Sequence, residues 1–251
     1  MNFSKKLYVL VISGVWLCSS YGTSLAAAQS QITLTALQQQ VNALKNAEEN
    51  NASKLQILKL NKNILDNLYS YLISEDDNLG KSVTNATLAS STQNKFLDAI
   101  WNDEQWYLAE RKITASATST DAIKAVVLDV KQHRQEIQDI LQKQITGILL
   151  VNDAERARAI AVTRFNQVSS STAQLFLNPA HLAVTAYLSE IKSQLDEIQT
   201  TTSETRLLFE TLSTTEDYTN GLDALSRING LLQNVYDEFI AIGNVLHVSG
   251  S

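Results

Sequence analysis

The chain has 251 residues and a formal net charge of −6, with 8 glycines, 1 proline and 1 cysteine. So few glycines and prolines cannot supply the frequent turns of a β-sandwich, a β-barrel or a doubly wound α/β enzyme. Hydrophobic residues make up 44% of the chain and charged residues 18%, a balance that excludes wholesale disorder. The composition therefore predicts an all-α protein without a sheet, and its acidic balance argues against nucleic acid as a partner.

The N-terminus has the layout of a secretory signal peptide. A lysine pair precedes the apolar run 7–18, and Ala26 and Ala28 stand at the −3 and −1 positions of a cleavage site after residue 28. A retained membrane anchor is disfavoured because the apolar run is shorter than the ~20 residues that a spanning helix needs. Removal of residues 1–28 also removes Cys18, and a cysteine-free exported chain favours the bacterial periplasm or secretion from the cell.

Apolar residues at heptad spacing predict helix between Leu34 and Leu72, and the polar run 48–51 interrupts their row. The segment 75–92 is rich in serine, threonine and asparagine and has no sustained periodicity. We therefore expect a long loop over 75–92.

A shorter helix follows, and it carries the densest group of aromatic residues. Its predicted core stripe consists of Leu97, Ile100, Trp101 and Leu108. Trp106 lies about 180° around the helix from Leu97 and points the other way. We expect Trp101 to be buried, and Trp106 with its neighbour Tyr107 to be exposed and to contact a partner. The alternatives are a helix break at residues 102–103 that turns Trp106 inward, or an exposed Trp106 that contacts no partner.

A linker over 114–120 precedes a helix that starts near Asp121, because its hydroxyl residues suit a helix cap. The heptad row of this helix includes Ile137 and is broken by Arg134. The helix is expected to bend or end near Gly147. A weaker helical pattern over 154–165 ends at the serine run 169–171.

The C-terminal part predicts an antiparallel helical hairpin over 179–248. Its first helix starts at Asn178-Pro179, a capping side chain followed by a proline that is tolerated in the first turn. Two apolar seams in 4-3 spacing follow, separated by a loop over 213–220. Together these elements predict one elongated helical domain over 29–251, a multi-helix bundle with coiled-coil-like long helices and more than about 60% helix.

No short signature of catalysis or metal binding is present. The three histidines, His133, His181 and His247, are far apart in the chain, and charged neighbours predict that His133 lies on a solvated helix face. The segment 76–80 departs from a calcium loop because its glycine comes one position early and Thr87 replaces the glutamate at position twelve. The sequence therefore predicts no enzyme, no cofactor and no catalytic or metal-binding residue.

These features favour a non-enzymatic structural or interaction protein of the bacterial envelope, which binds protein partners or its own copies through helical faces. The layout is similar to that of the small helical periplasmic or pilus-tip subunits of type IV secretion and conjugation machines, an analogy of architecture without a diagnostic motif. One alternative is a secreted membrane-active toxin or adhesin, suggested by the apolar run 145–151. The other is a periplasmic small-ligand binder or an unfamiliar enzyme with a pocket inside the bundle. Membrane contact stays open.

Overall fold

The computed structural model describes residues 24–50, 53–172 and 180–249. Of these residues 94% are helical and none lies in a strand, which confirms the all-α prediction. Most of the predicted signal peptide lies outside the described residues, so its cleavage stays a prediction.

The described residues form six continuous helices. Helices α1, α2 and α3 cover Ser24–Glu49, Lys54–Asn85 and Ser90–Ser116. Helix α4 consists of Thr120–His133, a π-helical turn at Arg134–Gln138, and Asp139–Thr172. Helices α5 and α6 cover Ala180–Glu210 and Thr215–Ser249. The helices group into two compact units, the first containing α1 to α3 with α4 up to Leu141 and the second containing the rest of α4 with α5 and α6.

The long loop predicted over 75–92 is wrong, because α2 continues to Asn85 and only residues 86–89 connect it to α3. Glu75 and Asp76 are buried and continue the core row that contains Leu72. Because both side chains are polar, regularly spaced apolar residues do not reveal this row in the sequence. The predicted linker over 114–120 is also shorter, since only residues 117–119 are non-helical.

The start of α4 agrees with the sequence, because Ser119 Oγ accepts a hydrogen bond from the backbone N–H of Ala122 at 3.1 Å. The predicted end near Gly147 is wrong, as is the predicted break at 169–171. Gly147 serves packing instead, since a Cβ there would lie 2.2 Å from the ring of Phe209. The serine hydroxyls of 170 and 171 bond to carbonyls four residues earlier, so the run continues the helix.

Side chains from α1, α2, α3 and α4 form the core of the first unit. Helices α2 and α3 are antiparallel, because Lys62 Nζ donates to the carbonyl of Ala115 while Asp66 pairs with Arg111 one turn further on. The largest fully buried side chains in this cluster are Leu37, Leu44, Ile64, Leu65, Leu68, Tyr69, Leu72, Tyr107 and Ile123. Residues from four helices therefore surround one apolar core.

Helices α5 and α6 pack against each other in the second unit. The two predicted seams are buried on facing sides of α5 and α6, through Val184, Ile191, Leu195, Ile198, Phe209, Leu212, Leu225, Ile228, Leu232, Val235, Phe239 and Ile242. The loop is shorter than 213–220, because Asp217 N donates to Thr214 Oγ1 at 3.1 Å and Asp217 Oδ2 accepts from the N–H of Thr214. This reciprocal cap starts α6 at Thr215. The start signal at residues 178–179 lies outside the described residues.

Candidate functional site

Polar side chains replace apolar ones in the core rows of three helices of the first unit. Asp76 on α2, Asp103 on α3 and Gln138 on α4 are each at most 2% exposed. We define the buried polar cluster as Asp76, Asp103, Tyr107, His133, Arg134 and Gln138. Burial of so many polar groups is costly unless they pair with one another, so their mutual geometry decides what the cluster does.

Hydrogen bonds through Gln138 join the three helices. Tyr107 Oη donates to Gln138 Oε1 at 2.9 Å, and Gln138 Nε2 donates to Asp76 Oδ1 at 3.3 Å. One amide thus bridges a side chain of α3 and a side chain of α2. Burial, and then the charge of Asp103, raise the pKa of Tyr107 above its ordinary value, so its hydroxyl stays a donor.

The two aspartates form a carboxyl pair. Burial raises the pKa of Asp76 to about 9, and the neighbouring charge of Asp103 adds to the shift. At neutral pH Asp76 therefore keeps its proton.

His133 lies beside Asp103. Its Nε2 pairs with Asp103 Oδ1, and its ring stacks on Trp106 with the ring centroids 3.7 Å apart and the planes 3° from parallel. The prediction that His133 lies on a solvated helix face is wrong, because Asp103 and Trp106 of α3 contact its ring. These partners lie about 30 positions away in the chain. No neighbour in sequence reveals them.

Arg134 adds a positive charge to the buried polar cluster. Its side chain is almost fully buried, and its Nε lies 3.6 Å from Asp139 Oδ1. Its Nη1 makes no hydrogen bond to any residue that the structure describes. The charge of Arg134 favours ionised groups nearby, and it opposes the rise in the pKa of Tyr107.

The π-helical turn of α4 brings Gln138 into the cluster. Counting heptads from Ile123, Val127 and Val130 predicts that Ile137 faces the core. The turn inserts one extra residue, so Gln138 is buried instead and Ile137 is 50% exposed. The break at Arg134 in the sequence pattern is the only local sign of this change.

The predicted exposures of the aromatic residues are reversed. Trp101 is 59% exposed, Trp106 is half-buried against His133, and Tyr107 is fully buried. No break occurs at residues 102–103, because the chain is helical there. The core row of α3 runs through Phe96, Ile100, Asp103 and Tyr107 in 4-3-4 spacing, and the polar Asp103 conceals it. The predicted partner-binding role of Tyr107 is therefore wrong for its buried side chain.

The face of α3 that the sequence assigns to the core is largely exposed. We define the outer stripe as Leu97, Trp101 and Leu108, of which Trp101 and Leu108 are exposed and Leu97 is half-buried. Spacings of four and seven residues place these side chains on one side of the helix. A partner helix packs against such a stripe in a coiled coil.

The buried polar cluster has the chemistry to hold a proton and to fix the pairing of three helices. In the part of the chain that the structure describes, no three histidine, cysteine, aspartate or glutamate side chains are grouped to hold a metal ion. No known family matches this chain, and no characterised protein or solved structure is significantly similar to it. None of the described helices is long and apolar enough to cross a membrane.

Proposed function

We propose that the protein is an exported, non-enzymatic structural or interaction protein of the bacterial envelope, and that it binds a protein partner through the outer stripe. The observation that carries this proposal is the exposure of Trp101 on a helical stripe of apolar side chains. Tryptophan is enriched among the residues that dominate binding energy at interfaces. Export rests on the signal-peptide pattern of residues 1–28.

A type IV secretion or conjugation machine is the kind of assembly that we propose, on the analogy of its small exported helical subunits. The membrane-active alternative has less support, because Ile145, Ile148 and Val151 are fully buried in the second unit. Burial explains that apolar run without a membrane. The enzyme alternative has less support because five of the six side chains in the buried polar cluster, all except His133, are almost fully buried.

Photo-crosslinking in the producing bacterium tests the proposal. A photoreactive phenylalanine replaces Trp101 in one variant and Ile160 in a matched control, since both side chains are exposed. We expect a defined cross-linked protein from position 101 and none from position 160. Trp101→Ala should weaken that association and leave the thermal unfolding temperature within the ordinary range of surface substitutions.

Two results would contradict the proposal. One is the absence of any cross-linked product from position 101 in cells that assemble the envelope normally. The other is a loss of several kcal/mol of stability in Trp101→Ala, which is typical of a buried tryptophan.

A further inference from the structure

An open cleft of about 390 Å³ lies between α2 and α3, beside the outer stripe. Leu97 and Trp101 of the outer stripe line the cleft on α3. Residues between 76 and 85 line it on α2. A partner that packs on the outer stripe therefore lies next to this cleft as well.

Glu104 places a carboxylate among the apolar side chains of this surface. It follows Trp101 by three positions and precedes Leu108 by four, so the three residues lie on one side of α3. Glu104 also lines the cleft and is half-buried, so its side chain is accessible from the cleft. A partner of the outer stripe therefore meets a negative charge beside an exposed tryptophan.

Asp77 on α2 adds a second negative charge to the cleft. Burial raises the pKa of Glu104, and the charges of Asp77 and then of Asp103 raise it further. This shift shows that Glu104 and Asp77 are close enough to repel each other. A positive group that enters the cleft relieves the repulsion, because it is attracted to both carboxylates.

Lys81 is the positive group of the cleft lining, and it lies towards the other end. It follows Asp77 by one turn of α2 and comes directly after Gly80, whose Cβ position is 4.0 Å from the side chain of Leu97. Because α2 and α3 are antiparallel, this end of the cleft is the one away from Glu104. The end beside Trp101 and Glu104 is therefore acidic.

An aromatic ring beside carboxylates suits an arginine side chain. The planar guanidinium group stacks on tryptophan and pairs with carboxylates through several N–H groups in a fixed fork. The ammonium group of lysine is more strongly hydrated and has no such fork. The charge and the aromatic surface of the cleft therefore complement arginine best.

We propose that the partner of the outer stripe inserts an arginine side chain into this cleft, where the guanidinium group stacks on Trp101 and pairs with Glu104 and Asp77. Apolar side chains of the same partner pack on Leu97 and Leu108. The inference rests on the proposed function, because it specifies the chemistry of the partner at the same surface.

NMR titration of the exported chain with Nα-acetylarginine methylamide tests recognition of the guanidinium group. The comparison probe is Nα-acetylcitrulline methylamide, which has nearly the same shape and no charge. We expect saturable shifts of the Trp101 indole N–H and of the backbone amides of residues 77–81 and 97–104. The arginine probe should bind about tenfold more tightly, since a cation on tryptophan and a partly exposed ion pair each add a few-fold.

Glu104→Gln keeps the size of the side chain and removes its charge. We expect the preference for the arginine probe to fall to about threefold or less, because the stacking on Trp101 remains. Trp101→Leu is a second variant at an exposed position and should reduce the preference by a similar factor. Asp98→Asn is the matched control, because Asp98 is an exposed carboxylate of α3 outside the cleft, and it should keep the full preference.

Photo-crosslinking from position 108 tests the partner itself while Trp101 stays in place. Leu108 is 37% exposed on the outer stripe, so a photoreactive phenylalanine there faces the partner. We expect a cross-linked protein whose yield falls several-fold when Glu104→Gln is added and stays unchanged when Asp98→Asn is added.

The arginine site is wrong if the two probes bind equally, if neither gives saturable shifts up to tens of millimolar, or if Glu104→Gln leaves the probe preference or the cross-link yield unchanged. A cross-link that does not depend on Glu104 leaves the proposed function standing. The absence of cross-links from both positions 101 and 108 contradicts the proposed function and, with it, the arginine of a partner, even where the arginine probe binds.

Discussion

Asp76 is a carboxyl group that the fold keeps neutral. Its pKa is about 9 in the folded chain against an ordinary value of 3.8, so between these values the folded state binds a proton that the unfolded state has released. Stability therefore falls as the pH rises from the ordinary pKa toward the folded one, and it is highest on the acid side of this window. The charge of Asp103 also raises the pKa of Asp76, because it disfavours a second negative charge nearby.

Asp76→Asn should make stability less dependent on pH. The asparagine side chain has nearly the size of the carboxyl group and can accept the hydrogen bond from Gln138, and it carries no charge at any pH. We expect the original chain to lose up to about 1.4 kcal/mol per pH unit more than the variant between pH 5 and pH 8, the limit for one proton. Urea unfolding at several pH values measures this difference.

Asp77→Asn is the control, because Asp77 is the exposed neighbour of Asp76 on the same helix. Its pH dependence should match that of the original chain. Equal slopes for the Asp76 and Asp77 variants would show that Asp76 ionises normally in the folded protein.

Phe209 shows how the helices of the second unit depend on glycine. A Cβ atom at position 147 would lie 2.2 Å from the Phe209 ring, and a Cβ atom at position 221 would lie 2.5 Å from it. Both positions are inside helices, where glycine is about 1 kcal/mol less favourable than alanine. The close approach of α4, α5 and α6 around one aromatic ring offsets that penalty.

Gly147→Ala should therefore destabilise the protein by about 1–3 kcal/mol in spite of its better helix propensity, because the new methyl group overlaps the Phe209 ring. Gly230→Ala is the control, since no atom lies within 4 Å of the Cβ position there, and it should be neutral or stabilising by up to about 1 kcal/mol. Combining Gly147→Ala with Phe209→Leu should cost less than the sum of the two single changes. Additive effects in denaturant unfolding would contradict the steric explanation.

At the scale of the whole molecule, the helices form two units whose cores differ in chemistry. The core of the second unit is largely aliphatic, and its buried threonines, Thr172, Thr202 and Thr205, bond to carbonyls of their own helices. The first unit contains the buried polar cluster. Buried polar groups of this kind select one helix pairing over others, because a shifted register leaves them unpaired.

Export is a prediction at the scale of the whole molecule. The lysine pair, the apolar run and the small residues up to Ala28 occur in the order of a signal peptide. We expect the mature protein to begin at Gln29 and to contain no cysteine. N-terminal sequencing of protein from the periplasm or the medium measures this, and a sequence that begins at Met1 would contradict it.

The sequence by itself determined the helical class and the C-terminal hairpin. Both seams of the hairpin are apolar at nearly every 4-3 position, so their period identifies the buried face without knowledge of the partner helix. A hydroxyl cap at the end of the linker was also predictable, because capping is a contact between residues three positions apart, and Ser119 supplies it.

Only the tertiary structure determined which residues form the core of the first unit. Asp76, Asp103 and Gln138 occupy core positions and carry no apolar signal, so the sequence assigned the wrong face to α3 and a loop to the end of α2. Their burial depends on partners that lie about 30 to 60 residues away in the chain. Gln138 reaches these partners from the π-helical turn of α4. The spacing of apolar residues in the sequence identifies buried apolar faces of helices. A polar side chain is buried only when the tertiary structure supplies its hydrogen bonds.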